Sequence, residues 1–190
     1  MIITVTGKAG NGKSTVSKIL KANLMNANVI RPDIIGIRLL SEPDLRKKLA
    51  RAFGRQIIVK GKISRRRLAN AAFKSKNSLS KLNSISHPAM IQRILNRARR
   101  NKISIIDAAL FKELKLDRIS DVVVLVKAKD EAVRKRLSKS FFRRRKFQSE
   151  PKRPDFIIHN NSSLSALNKD VKSVAIAIRK MQGMKQIKLA

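Results

Sequence analysis

The chain contains no cysteine, no tryptophan and no tyrosine, and only 12 of its 190 residues are aspartate or glutamate. Without cysteine there is no disulfide framework, no thiolate zinc site and no cysteine nucleophile, and a cytoplasmic setting is the expectation. No uncharged stretch approaches the roughly 18 residues that a membrane span needs, so no membrane partner is expected. The apolar start "MIITVT" is too short for the core of a secretory signal and lacks a basic flank, which makes it a strand candidate. At this length a single domain can bury about 70% of the surface that its unfolded chain would expose, without covalent staples.

Scarcity of acid makes the charge lopsided: 45 lysines and arginines leave a formal net charge of +33. An anionic small substrate accounts for a few of those cations. The surplus has two readings. One is nucleic acid, which so basic a chain attracts at low salt whatever its task. The other is a biased composition spread over a solvated surface, favoured by the missing tryptophan and tyrosine and by the even spread of cations.

Glycine is also sparse, with seven in the chain, yet three fall inside "GKAGNGKST", Gly7 to Thr15. Gly7, Gly12, Lys13 and Ser14 satisfy G-x-x-x-x-G-K-[ST], and Lys8, Ala9, Gly10, Asn11 and Thr15 complete the stretch. The flanks agree: Ile2 to Thr6 read as a buried β-branched strand, while Val16, Ile19, Leu20 and Leu24 form one helical stripe. Such a loop turns successive backbone N–H groups toward a phosphate. Lys13 then reaches the β- and γ-phosphates of ATP, and the Ser14 hydroxyl is a ligand for Mg²⁺.

Farther on, Asn28 to Ile30 make a short strand, and Pro32 disfavours a helix at Arg31, so Asp33 falls just past a strand's carboxyl end. There it can face an acceptor hydroxyl or cap a helix starting at Ile34. From Glu42 to Asn101 the pattern is helical and polar, broken by Gly54, Gly61 and Pro88, with "RQIIVKG" its one strand candidate. Core strands are expected at Ile103 to Ile106 and Val122 to Val126. "DFIIHN" gives a last strand before an amphipathic helix from Leu164 to about Met181. Strands alternating with helices predict an α/β domain with a mainly parallel sheet, and no linker divides the chain. Asp107 ends a core strand, where it can help to hold Mg²⁺ or cap a following helix. "KSFFRRRKFQSEPKRPD" reads as a phosphate-clamping lid or a solvated basic loop, and Phe141, Phe142 and Phe147 within it could also stack on RNA bases.

Together these residues resemble the dephospho-CoA kinase family over most of the chain. Asp33 in "VIRPDII" matches an aspartate that the family carries after its second strand. Phe53, Gly54, Gly61, Arg65, Leu68 and Phe73 follow in the family's order, then His87 with Pro88. "DAALFKE" keeps Asp107, Leu110 and Glu113, the basic helix before the lid keeps Arg136, and "PDFIIHNNS" keeps Asp155 and Asn160.

The resemblance implies a P-loop kinase-type three-layer sandwich over residues 1–190, with a helical acceptor-binding insertion at about 42–101 and a short lid at about 139–153. It implies transfer of the γ-phosphoryl of ATP, with Mg²⁺, to the ribose 3′-hydroxyl of dephospho-CoA. On that analogy Lys13 and Asp33 are catalytic. The glycine loop, Arg136, Arg144 and Asn160 bind ATP, Ser14 and Asp107 hold the metal, and Asp33, Arg65, His87 and Asp107 serve the acceptor, His87 chiefly as a helix-start residue. The chain departs from the family pattern at Lys8, Arg31, Ala109 and Ser162, and its lid is short. Two alternatives stay open: a related kinase with another nucleoside or small hydroxyl acceptor, and a basic nucleic-acid-binding protein that kept the fold.

Overall fold

The computed structural model describes residues 1–134 and 148–187. Arg136, Arg144, Phe141, Phe142 and Phe147 lie outside the described residues. In chain order the first elements are β1 (Ile2–Thr6), α1 (Lys13–Asn23), β2 (Ala27–Ile30), α2 (Pro32–Leu39) and α3 (Pro43–Phe53). Then come β3 (Ile58–Val59), β4 (Lys62–Ile63), α4 (Arg65–Ala72), α5 (Lys76–Ala98) and β5 (Ile103–Asp107). The last are β6 (Val122–Lys127), α6 (Asp130–Arg134), β7 (Phe156–His159) and α7 (Leu164–Ile187). Among the described residues no helix is long and apolar enough to cross a membrane.

The chain packs as two compact units. The first joins residues 1–31 to 97–190 and holds a five-stranded sheet of order β2-β5-β1-β6-β7. All four strand pairs are parallel, which is the α/β sheet expected from the alternating pattern. Strands of such a sheet are covered on both faces and therefore read as continuous apolar runs. "ISIID" and "VVVLV" are runs of that kind, buried along their length.

One face of the sheet carries the main core. Ile3, Val5, Ile103, Ile105, Val122, Val124, Val126 and Ile158 point from the strands into a cluster with Val16, Leu20 and Leu24 of the first helical segment. Leu167, Val171, Ala175 and Ile178 enter it from α7 at helical spacing. On the opposite face Thr4 and Thr6 are fully buried, and the Thr4 hydroxyl is 2.6 Å from that of Ser120. Two carboxylates fix strand starts: Asp121 Oδ2 accepts the Ile2 N–H at 2.8 Å, and Asp155 Oδ2 accepts the Val123 N–H at 2.7 Å.

The second unit, residues 32–96, is helical apart from the β3–β4 hairpin. Lys60 and Gly61 both take positive φ at its turn, as a two-residue hairpin requires. Gly54 ends α3 at φ 84°, its N–H donating to Ala50 O. Ser64 caps α4 through a bond from the Arg67 N–H.

Several expected boundaries are corrected. β2 begins at Ala27 and α7 continues to Ile187. α2 begins at Pro32 rather than Ile34, because proline disfavours helix at the residue before it while suiting the first helical position. Asp33 thus lies in the first turn of α2, its carboxylate at the positive end of the helix. Pro88 does not divide the polar helical stretch. α5 runs through it, so His87 stands in mid-helix and not at a helix start. A proline in a helix interior costs about 3 kcal/mol, and burial of Met90, Ile94 and Ala98 along the same helix outweighs it. Phe73 falls just past α4 and is mostly exposed.

Packing predicts a contrast in urea unfolding: Leu20→Ala is expected to cost about 2–5 kcal/mol, and Ile176→Ala, on the exposed side of α7, about 0.5 or less. Equal losses would mean that the core does not lie where this cluster puts it.

Candidate active site

β1 is the middle strand, and the chain enters its neighbours β5 and β6 on opposite sides, so the sheet order reverses there. Ligands of open parallel sheets bind beyond the carboxyl ends of the strands at such a point. The glycine loop leaves β1 at that edge and passes directly into α1.

Gly7, Gly10 and Gly12 have φ of 137°, 80° and 93°, a region that side chains disfavour. Space demands glycine as well. A Cβ on Gly7 would lie 2.2 Å from Val126 O, and one on Gly12 would lie 2.1 Å from Asn160 Nδ2. Gly12 supplies no side-chain cap to α1, and the first turn of α1 contains no acid. The positive end of the helix dipole therefore meets the loop without a carboxylate to neutralise it, as an anion site needs.

Two asparagines hold the loop from beneath. Asn11 Nδ2 donates to Val126 O at 2.7 Å, and Asn160 Nδ2 donates to Asn11 O at 2.9 Å. The Asn160 N–H in turn donates to Lys127 O at 2.8 Å, so both side chains tie the loop to the ends of β6 and β7. Both are buried. At the tip, the Ala9 N–H donates to Gln148 Oε1 at 2.7 Å.

Of the reactive side chains, the half-buried Lys13 donates from Nζ to Lys8 O at 3.2 Å, which folds it back over the loop. Ser14 Oγ donates to Asp107 Oδ2 at 2.6 Å. Asp107 is buried at the end of β5, and the chain after it runs through turns rather than a helix, so its carboxylate caps nothing and faces Ser14. Thr15 N–H closes onto Gly12 O and starts α1.

Within the helical unit, Asp33 and Arg65 are exposed in the first turns of α2 and α4, and His87 is half-buried in α5. The same unit holds a cavity of about 620 Å³ lined by Arg46, Lys47, Ala50, Arg51, Arg55 and Ile58, four cations with no carboxylate among them. Sequence reasoning missed these cations as a group, and it missed Gln148. The cations have a signal, since Arg46, Lys47, Ala50 and Arg51 share one helical face. A lone glutamine has none.

A family model described as dephospho-CoA kinase matches residues 1–165. The chain belongs to the dephospho-CoA kinase family. A dephospho-CoA kinase of Borreliella burgdorferi is 36% identical over 144 residues, spanning 74% of this chain and 68% of that protein. One of Fusobacterium nucleatum is 30% identical over 185 residues, spanning 90% and 95%. The solved dephospho-CoA kinase of Campylobacter jejuni shares the fold at a TM-score of 0.70 and 23% identity, covering 95% of this chain and 98% of that one. A dephospho-CoA kinase is a phosphotransferase, so the glycine loop belongs to a nucleotide-binding enzyme of coenzyme A synthesis.

Gly12→Ala is expected to lower ATP affinity at least about tenfold, roughly 1.4 kcal/mol, because the new methyl group overlaps the Asn160 amide. Asn160→Leu should lower unfolding stability by about 1–3 kcal/mol by removing its buried bond to the Asn11 carbonyl. Calorimetric titration with ATP and urea unfolding check the two. Normal ATP affinity in Gly12→Ala would show that the loop tolerates a side chain and that its tightness is not functional.

Proposed function

We propose that the chain transfers the γ-phosphoryl of ATP to the ribose 3′-hydroxyl of dephospho-CoA, forming coenzyme A and ADP. The observation that carries this reading is the 2.6 Å contact between Ser14 and Asp107 beside the glycine loop, in a chain of this family. A hydroxyl and a carboxylate together suit Mg²⁺, a hard cation that takes one or two protein oxygens and completes its shell with phosphate and water. Ser14 and Asp107 would hold it. Bound with ATP, the ion supplies neutralisation of charge on the β- and γ-phosphate oxygens.

The chain's own groups divide the remaining work. Loop amides and the start of α1 cradle the phosphates, and Lys13 swings from Lys8 O to the β- and γ-oxygens. Asp33 orients the acceptor hydroxyl and takes its proton. The acceptor oxygen then forms its bond to phosphorus as the bond to the ADP oxygen breaks, with no covalent enzyme intermediate. The rate enhancement comes from positioning and charge stabilisation. Asn160 acts on ATP through Asn11. Arg65 and His87 are assigned to acceptor binding, and Arg136 and Arg144 to the phosphates. The four cations around the cavity in the helical unit favour an acceptor that is itself polyanionic, as dephospho-CoA is. The family match over residues 1–165 supports reading both units as one kinase domain, and the cytoplasm is the assigned setting of a chain without cysteine.

A phosphoryl-transfer assay with ATP, Mg²⁺ and a panel of dephospho-CoA, nucleoside monophosphates and shikimate tests the reading. Turnover of dephospho-CoA well above the rest is expected, and preference for another acceptor overturns it. Lys13→Ala should remove most turnover while leaving the fold intact. Asp33→Asn should keep ATP affinity and lower kcat by roughly 10²- to 10⁴-fold. Joint loss of ATP affinity and stability in that variant would make Asp33 a helix-end residue with no part in proton transfer.

The excess of cations is read as diffuse attraction for nucleic acid. Binding of unrelated RNAs and DNAs should be strong at low salt, indifferent to sequence, and fall steeply on a log-log salt plot, by about 0.9 per phosphate contact for duplex DNA. Tight binding of one RNA at physiological salt would instead mark a recognition surface.

A further inference from the structure

The tip of the glycine loop lies between two anchored ends. Its two ends run into β1 and α1, and its underside rests on Asn11 and Asn160. Across the tip the loop closes on itself through the Asn11 N–H to Lys8 O bond, at 3.2 Å. Gln148 adds the shorter bond there, from a half-buried side chain far along the chain, accepting the Ala9 N–H at 2.7 Å.

The chemistry of that bond fixes the orientation of the glutamine. Ala9 N–H is a donor, so the oxygen of the side-chain amide must face it, and Nε2 takes the other branch of the same planar group. The result is a side chain that accepts from the loop on one atom and offers an N–H donor on the next, beside the place where the phosphates of ATP are bound. A glutamate could accept the same N–H more strongly, because bonds to a charged acceptor are the stronger ones. It would also set a negative charge beside a triphosphate. Glutamine is the isosteric acceptor that adds none.

We propose that Gln148 is a positioning residue for the nucleotide phosphates, fixing the tip of the glycine loop through the Ala9 amide and keeping the mouth of the loop free of negative charge. The proposal rests on the loop being the ATP phosphate site. It adds a residue from the segment before β7 to a site otherwise built from the ends of β1, β5, β6 and β7 and the start of α1.

Direct binding of AMP, ADP and ATP, followed by calorimetry at fixed ionic strength without acceptor, tests it in two variants. Gln148→Glu keeps the size and the accepting oxygen. Its ATP affinity should fall about tenfold or more, its ADP affinity by less and its AMP affinity little, since charge repulsion grows with each phosphate brought near. Gln148→Met offers the Ala9 N–H only a weak thioether acceptor and should weaken ATP and ADP several-fold with the melting temperature unchanged. Equal losses for all three nucleotides, or losses that merely track a lowered melting temperature, would make Gln148 a general packing residue and overturn the proposal. Unchanged affinities in Gln148→Glu would overturn it as well. Because no acceptor is present, failure of dephospho-CoA to be phosphorylated would sink the functional reading and leave these outcomes as they stand.

Discussion

A loop that aims backbone N–H groups outward at an anion has few of them left to hold itself together. The structure resolves this conflict with side-chain amides. Asn11 and Asn160 bond the loop's inner side to carbonyls at the ends of β6 and to each other, both buried where water cannot compete. Hydrogen bonds made in such surroundings are costly to break, since each leaves a buried polar atom unmatched. Gly12 follows from that arrangement: the Asn160 amide occupies the volume that any Cβ would need. The sheet order follows the same logic, because β6, which receives the Asn11 bond, and β7, which leads into Asn160, stand on one side of β1 while β5 brings Asp107 from the other.

The paired arrangement of Ser14 and Asp107 rests on the core rather than on these loop bonds. Ser14 belongs to the first turn of α1, and α1 is seated by Val16 and Leu20 in the core cluster. Asp107 is the last residue of a fully buried strand. Each partner is thus fixed by apolar packing on the sheet, and neither relies on the other for its place. That independence suits a site in which the bond between them must yield when a ligand arrives.

Much of this was legible in the sequence because the physics there is local or repetitive. The apolar runs of β1, β5 and β6 announce strands buried on both faces, and the spacing of Val16, Leu20 and Leu24 announces a helix on a core. The glycine motif carries its own geometry. What escaped depends on partners far away in the chain. Resemblance alone associates Asn160 with ATP, because its bond to Asn11 spans 149 residues and leaves no periodic trace. Gln148 is likewise a single neutral residue in a basic stretch. Pro88 favours a break only locally, and burial farther along α5 overrides it. Pro32 misled by one position's reading: proline restricts its predecessor, and the helix starts on the proline itself.

The helical unit is one uninterrupted stretch, residues 32–96, while the glycine loop, Ser14, Asp107, Asn160 and Gln148 all belong to the other unit. Changes of length or composition between Pro32 and Asn96 therefore leave every one of those groups in its own unit with its own bonds. On the proposed assignment of the acceptor to the helical unit and of ATP to the glycine loop, selection can rework what the enzyme accepts without redesigning how it grips a nucleotide, and the two properties are free to drift at different rates.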